Sequence, residues 1–268
     1  MNIENITKEV IEITQEASGK VMQVYDSGDY ESTDKKDGSP VTRADFVSNE
    51  SICKGLSLID KSIPILSEEG DLETDKNVDL FWLVDPLDGT KEFINRNGEF
   101  TVNIALIDKG QPVMGVVSAP AIDELFYGIS GRGSFKLNAG TKDSISPAKL
   151  SDESLRVTVS RSHQSEKDKN FIKMAESTFS KVSALKTGSS LKLCRVAEGA
   201  ADIYCRFGPT YQWDIAAGQA VVVSCGGEVN CLQKAPLSYS FNSEKKNPEF
   251  YCVGDGSYDW ERMVQGVN

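Results

Sequence analysis

Trp82-Leu83-Val84-Asp85-Pro86-Leu87-Asp88-Gly89-Thr90 joins an apolar strand to an acidic turn within one short run. The strand, Phe81 to Val84, runs directly into Asp85. Proline has a fixed φ and no N–H, so Pro86 is expected to stop the ladder and stiffen the turn. Asp88 returns three residues later, and Gly89 allows a tight backbone path. Two carboxylates and the Leu87 carbonyl can then face one point, and hard divalent cations prefer such oxygen ligands. Two adjacent ions sharing Asp85, or an equivalent bridging carboxylate, would clamp the attacking and leaving oxygens of an in-line displacement. Taken alone, the run also fits a solvated acidic turn capping a helix.

Outward from this run the pattern fills in. Ile6, Val10, Ile13, Ala17, Val21 and Val24 lie on one face of a helix that Gly28 ends. Residues 31–40 read as a mobile loop, and the loop 31–43, next to Asp45, is expected to close over a bound molecule. Thr42 caps a second helix with Asp45 in a capping-box place. Ile63 to Leu66 reads as a strand, and 70–79 as an acidic loop. Four strands follow at 100–107, 113–119, 124–129 and 133–137, an antiparallel sheet with Gly131-Arg132-Gly133 as a hairpin turn. The polar stretch 138–155 reads as a boundary. Beyond it strands (155–159, 182–185, 203–205) alternate with helices (167–178, 188–199, 213–223), then strands near 227–231 and 250–253 and a helix near 257–265. The expectation is an α/β chain in two lobes, α+β for 1–150 and α/β for 151–268, forming one fold.

The totals exclude much. With 29 basic and 40 acidic residues in 268, the net charge is −11. That disfavours a nucleic-acid polymer as partner. No run of apolar residues is long enough to span a membrane, and Met1 to Thr7 lacks the pattern of a signal peptide. The six cysteines form no C-x-x-C pair and read as reduced thiols, so a cytoplasmic location is expected. A single histidine, His163, argues against imidazole metal sites. No Cys has an Arg six positions on, and no phosphate-binding P-loop is present. Any catalysis then falls to carboxylates and whatever they bind.

More acids stand at element ends: Glu68 and Glu69 after a strand, Asp45 and Asp214 in first helical turns. Ser67-Glu68-Glu69, Asp85 to Thr90 and Trp213-Asp214-Ile215-Ala216-Ala217-Gly218 resemble, in order and spacing, the three signatures of the inositol monophosphatase superfamily. These are lithium-sensitive, magnesium-dependent phosphatases. The run Asp85 to Leu106, with Lys91-Glu92-Phe93 and Arg96-Asn97-Gly98-Glu99-Phe100-Thr101, is similar to the CysQ-type 3′(2′),5′-bisphosphate nucleotidases. Those release the 3′-phosphate of adenosine 3′,5′-bisphosphate to leave AMP, in a context of sulfur assimilation.

The resemblance implies a layered α/β/α/β/α sandwich with the metal site between the lobes. It implies that Glu68, Asp85 and the Leu87 carbonyl hold one Mg2+, and that Asp85, Asp88 and Asp214 hold a second. Asp45 would work with Thr90 to activate water and help hold a further ion, giving two or three. The Gly89 and Thr90 amides would receive phosphate oxygens, and Glu68, Leu87, Asp88 and Asp214 also count as substrate contacts. By the same resemblance His163, Ser189, Lys192 and Arg206 contact the nucleotide. A second phosphate does need fixed positive charge in an acidic protein. An inositol or sugar phosphate monoesterase on the same scaffold, and a non-catalytic ligand-binding scaffold, stand as alternatives. The sequence leaves open monomer or dimer, use of the 3′-phosphosulfate nucleotide, and a peripheral place on the inner face of the cell membrane.

Overall fold

The computed structural model describes residues 2–34, 40–70, 78–162, 165–241 and 245–267. His163 and parts of the expected loops at 31–40 and 70–79 lie outside the described residues.

Helix α1 (Ile3–Ser27) starts where the Asn2 side chain accepts from the Glu4 and Asn5 amides, and it ends at Gly28 with φ 71°. Its stripe of Ile6, Val10, Ala17, Val21 and Val24 is buried, as the spacing predicts. A ribbon of β1 (Thr33–Asp34) and β2 (Pro40–Val41) leads to α2 (Arg43–Ile59). The capping box forms: Thr42 N–H and Oγ1 reach Asp45 Oδ2 at 2.7 and 2.8 Å, and Ala44 N–H donates to Thr42 Oγ1 at 3.2 Å.

The first sheet runs in sequence order through β3 (Ile65–Ser67), β4 (Leu80–Asp88), β5 (Thr101–Asp108), β6 (Gln111–Ala119), β7 (Glu124–Ile129), β8 (Gly133–Asn138) and β9 (Thr141–Ile145), with the short helix α3 (Thr90–Ile94) after β4. The β3–β4 pair is parallel and the remaining pairs are antiparallel. Strand β9 lies inside the stretch that reads as a polar boundary. Residues Thr141 to Ser144 are exposed at the sheet edge, so no apolar alternation marks them.

The second sheet comprises β10 (Ser154–Ser160), β11 (Lys181–Thr187), β12 (Ile203–Arg206), β13 (Glu228–Cys231) and β14 (Phe250–Val253), in the order β11-β10-β12-β14-β13. Strand β10 is parallel to β11 and β12, whereas β14 is antiparallel to β12 and β13. Its helices are α4 (Glu166–Thr178), α5 (Leu191–Ala197), α6 (Gln212–Ser224) and α7 (Trp260–Gln265). The helix expected from Gly188 begins only at Leu191, because Ser189 adopts φ 39°, outside the helical region.

Strand alternation then builds the layers. Trp82, Val84, Ile104 and Leu106 pack with α1 and α2; Phe81, Leu83, Ala105 and Ile107 pack with α5 and α6. In the second sheet Tyr204, Phe250 and Cys252 join the α5–α6 core, while Ile203, Tyr251 and Val253 face α4 and α7. The order is helices, sheet, helices, sheet, helices, as expected. Trp213, Ile215, Ala216, Ala217, Ala220, Val221 and Val222 are all buried, so α6 is apolar on every side and sits between two sheets.

One detail corrects the reading of Pro86. The ladder does not stop there: Asp85 pairs with Asn103 and Asp88 with Thr101, a bulge of one extra residue on β4. Residues three apart on a regular strand face opposite ways. The extra residue returns Asp88 to the face of Asp85, toward α5 and α6.

Candidate active site

Three carboxylates meet where β4 ends and α6 begins. Asp85 Oδ1 accepts from Leu87 N–H at 3.1 Å, which closes the bulge. Ser48 Oγ on α2 donates to the Pro86 carbonyl at 2.7 Å and fixes the same turn from the other side. Asp214 stands in the first turn of α6, with Tyr211 N–H donating to its Oδ2 at 2.9 Å. Ser190, just before α5, joins the elements: its Oγ lies 2.8 Å from Asp88 Oδ2 and 2.6 Å from the Asp214 carbonyl, and it accepts from Asn103 Nδ2 at 2.9 Å.

These residues open on a cleft of about 310 Å³. Glu68, Asp85, Leu87, Asp88, Gly89, Thr90, Ser189, Lys192, Arg206 and Asp214 all line it, so the structure gathers most of the residues singled out in the sequence. Asp45 is different. It is buried behind the wall, and Thr90 Oγ1 lies 3.5 Å from its Oδ1 and 3.4 Å from the Leu87 carbonyl. Trp213 is buried and stacks on Tyr211 at 5.1 Å, a packing role, while Tyr211 reaches the cleft.

Burial and mutual repulsion dominate the electrostatics. Burial pushes the Asp85 carboxyl well up, with Glu68, Asp88, Asp214 and Asp45 adding to it. Asp214 rises well up for the same reasons, burial first and then Asp88. Asp88 is also raised by burial, against the pull of Lys192 and the Ser190 hydrogen bond. Burial takes Asp45 to about 7, opposed by Thr42 and helped by Glu69 and Glu68. Lys192 is buried and its amine falls to about 8, with Asp88 holding its charge against burial and Arg206 opposing it. Its Nζ donates to the Ser189 carbonyl at 2.6 Å. Arg206 Nη2 donates to the Pro209 carbonyl at 2.9 Å, while its Nε is buried with no partner among the described residues.

A set of buried carboxylates that repel one another suits a hard cation: all donors are oxygen, and positive charge would relieve the repulsion. Among the described residues no three His, Cys, Asp or Glu side chains are grouped closely enough to hold a metal ion by themselves. The donors instead range along an open cleft wall. That arrangement fits Mg2+, which keeps waters and shares phosphate oxygens rather than filling an all-protein cage.

Ser190 and Asn103 are missing from the sequence reading. A buried asparagine between Val102 and Ile104 in an otherwise apolar strand was the available signal. Ser190 had none that set it apart from Ser189.

A model of the inositol monophosphatase family matches residues 2–248. The 3′(2′),5′-bisphosphate nucleotidase CysQ of Buchnera aphidicola subsp. Acyrthosiphon pisum (strain APS) is 41% identical over 248 residues, 91% of this chain and 91% of that one. The protein of the same description from Escherichia coli (strain K12) is 41% identical over 245 residues, 90% of this chain and 97% of the other. Among solved structures, CysQ from Bacteroides thetaiotaomicron matches with a TM-score of 0.84 at 36% identity, covering 94% of this chain and 98% of that one. A Thermotoga maritima inositol monophosphatase shares the fold, with a TM-score of 0.81 at 24% identity over 100% of this chain and 98% of that one.

Proposed function

The chain belongs to the inositol monophosphatase family, and on that premise we propose that it is a 3′(2′),5′-bisphosphate nucleotidase, a hydrolase that takes adenosine 3′,5′-bisphosphate to AMP and phosphate. One observation carries the substrate class: of the three cations that line the cleft with the carboxylate cluster, Lys91, Lys192 and Arg206, the last two come from the second sheet and its helix α5. The cluster handles one phosphate, and the cations give a second phosphate fixed charge.

Glu68, Asp85, the Leu87 carbonyl, Asp88 and Asp214 would hold two Mg2+ ions, and Asp45 would help hold a third. Bound there, magnesium supplies positive charge to the phosphoryl oxygens and makes the attacking water more acidic. The chain's own groups do the rest. Thr90 Oγ1 orients a water toward the phosphorus and Asp45 behind it accepts the water's proton; as the new P–O bond forms, the bond to the ribose 3′-oxygen breaks, and that oxygen takes a proton from solvent to leave as the 3′-hydroxyl of AMP. Thr90 Oγ1 lies 3.5 Å from Asp45 Oδ1, close enough to pass the water's proton on to that carboxylate. The Gly89 and Thr90 amides, at the start of α3, take phosphate oxygens. Ser189 and Arg206 fix the remote part of the nucleotide, and His163 joins them. Lithium is proposed to inhibit. Among the described residues no helix is long and apolar enough to cross a membrane, and the proposed place of action is the cytoplasm.

Lys192→Met tests the second-phosphate reading. Its KM for adenosine 3′,5′-bisphosphate should rise by about tenfold or more, while that for adenosine 3′-monophosphate changes little. Equal changes on both esters would count against it.

A further inference from the structure

The run Lys91 to Thr101 follows Thr90 directly, yet the proposed mechanism uses none of its side chains. Two of its glutamates reach across the cleft. Glu99 Oε2 and Oε1 accept from Arg161 Nε and Nη2, each at 2.6 Å. The same Oε2 accepts from Gly188 N–H at 2.7 Å, and the Glu99 carbonyl accepts from Ser189 Oγ at 3.0 Å. Glu92 Oε1 accepts from Ser162 Oγ at 2.5 Å. Asn97 links the two acids, its N–H donating to the Glu92 carbonyl at 3.2 Å and its Oδ1 accepting from Glu99 N–H at 3.0 Å.

A half-exposed ion pair alone contributes little. Here the guanidinium is held by two parallel bonds and the same carboxylate takes a backbone amide, which gives geometry as well as energy. The fit at Gly188 is close: a Cβ there would lie 2.6 Å from the Glu99 carbonyl oxygen. Ser189 itself sits at φ 39°, a conformation that serine holds only when its surroundings impose it.

We propose that Glu99, assisted by Glu92, is a positioning residue for substrate selection. It clamps the segments Arg161–Ser162 and Gly188–Ser189 to the turn that follows Asp88, so the wall that recognises the nucleotide keeps a fixed distance from the carboxylates. The proposal rests on the nucleotidase reading for its substrate and on geometry for the clamp. Glu99 touches no reacting atom, so its removal costs recognition rather than chemistry.

Two measurements on the full chain test it. Glu99→Ala should raise KM for adenosine 3′,5′-bisphosphate by about tenfold, with kcat on p-nitrophenyl phosphate within about twofold of the parent. Glu99→Gln, which keeps an oxygen for Gly188, should show a smaller rise of about threefold. Gly188→Ala, which forces the two segments apart without touching charge, should mimic Glu99→Ala. Without substrate, hydrogen exchange in Glu99→Ala should quicken at 157–162 and 187–190 and stay unchanged at 80–88. Unchanged exchange overturns the clamp. Faster exchange with equal KM changes on both esters overturns its role in selection. A parent protein that ignores the nucleotide would sink the substrate reading instead, and exchange would still read the clamp.

Discussion

At the residue scale, carboxylates that the fold buries beside one another set the chemistry of the cleft. Protonation is the relief available to them when no cation is bound. Asp45 shows the sign of the effect: its ordinary value of 3.8 rises to about 7 in the folded chain. Between those values the metal-free folded state holds a proton that the unfolded state has released, so stability falls as pH rises through that window. Asp85 and Asp214, raised by burial and mutual repulsion, act in the same direction. The metal-free protein should therefore melt at a lower temperature at pH 8 than at pH 6, and added Mg2+ should raise the melting temperature more at pH 8. Thermal scans with and without chelator check this. Asp85→Asn follows from the same argument. It keeps an oxygen for Leu87 N–H, removes one repelling charge, and should raise metal-free melting at pH 8 by about 3 °C. Turnover should fall about a thousandfold. An unfolded Asp85→Asn protein would mean that the carboxylates serve structure.

At the element scale, α6 does the most. It carries Asp214 at its start and lies against bare sheet backbone: a Cβ on Gly115 would meet the Ala217 carbonyl at 2.5 Å, and one on Gly128 the Ala220 carbonyl at 2.5 Å. Gly128→Ala should cost about 1–3 kcal/mol, because neither backbone can give way. Urea titration reads the loss; a variant as stable as the parent would show that the helix is not so tightly seated. Ala216, Ala217 and Ala220 favour a helix in the sequence, but they do not say that sheet glycines receive it. Pro86 is the same lesson in reverse. Proline was a sound reason to end the strand, yet a bulge keeps the ladder going and turns Asp88 to the face of Asp85. A polar edge such as β9 gives periodicity nothing to detect, whereas the buried stripe of α1 was plain.

At the scale of the whole molecule, the middle helical layer is where function collects. It receives Asp85 and Asp88 from the first sheet, Ser190 from the turn before α5, Lys192 from α5, and Asp214 from α6. The acidic motifs were legible because each ends a strand or opens a helix, where chemistry leaves a local trace. The Ser190–Asp88 contact and those of Glu99 with Gly188 and Ser189 join residues 89 to 102 positions apart, and no local pattern announces such pairs. The most direct test of the function that this assembly supports is phosphate release from adenosine 3′,5′-bisphosphate and from inositol 1-phosphate, side by side, in magnesium and in magnesium plus lithium. Rapid release from the nucleotide alone, suppressed by lithium, is the expected result. Preference for the inositol ester, or no release from either with magnesium bound, would contradict it.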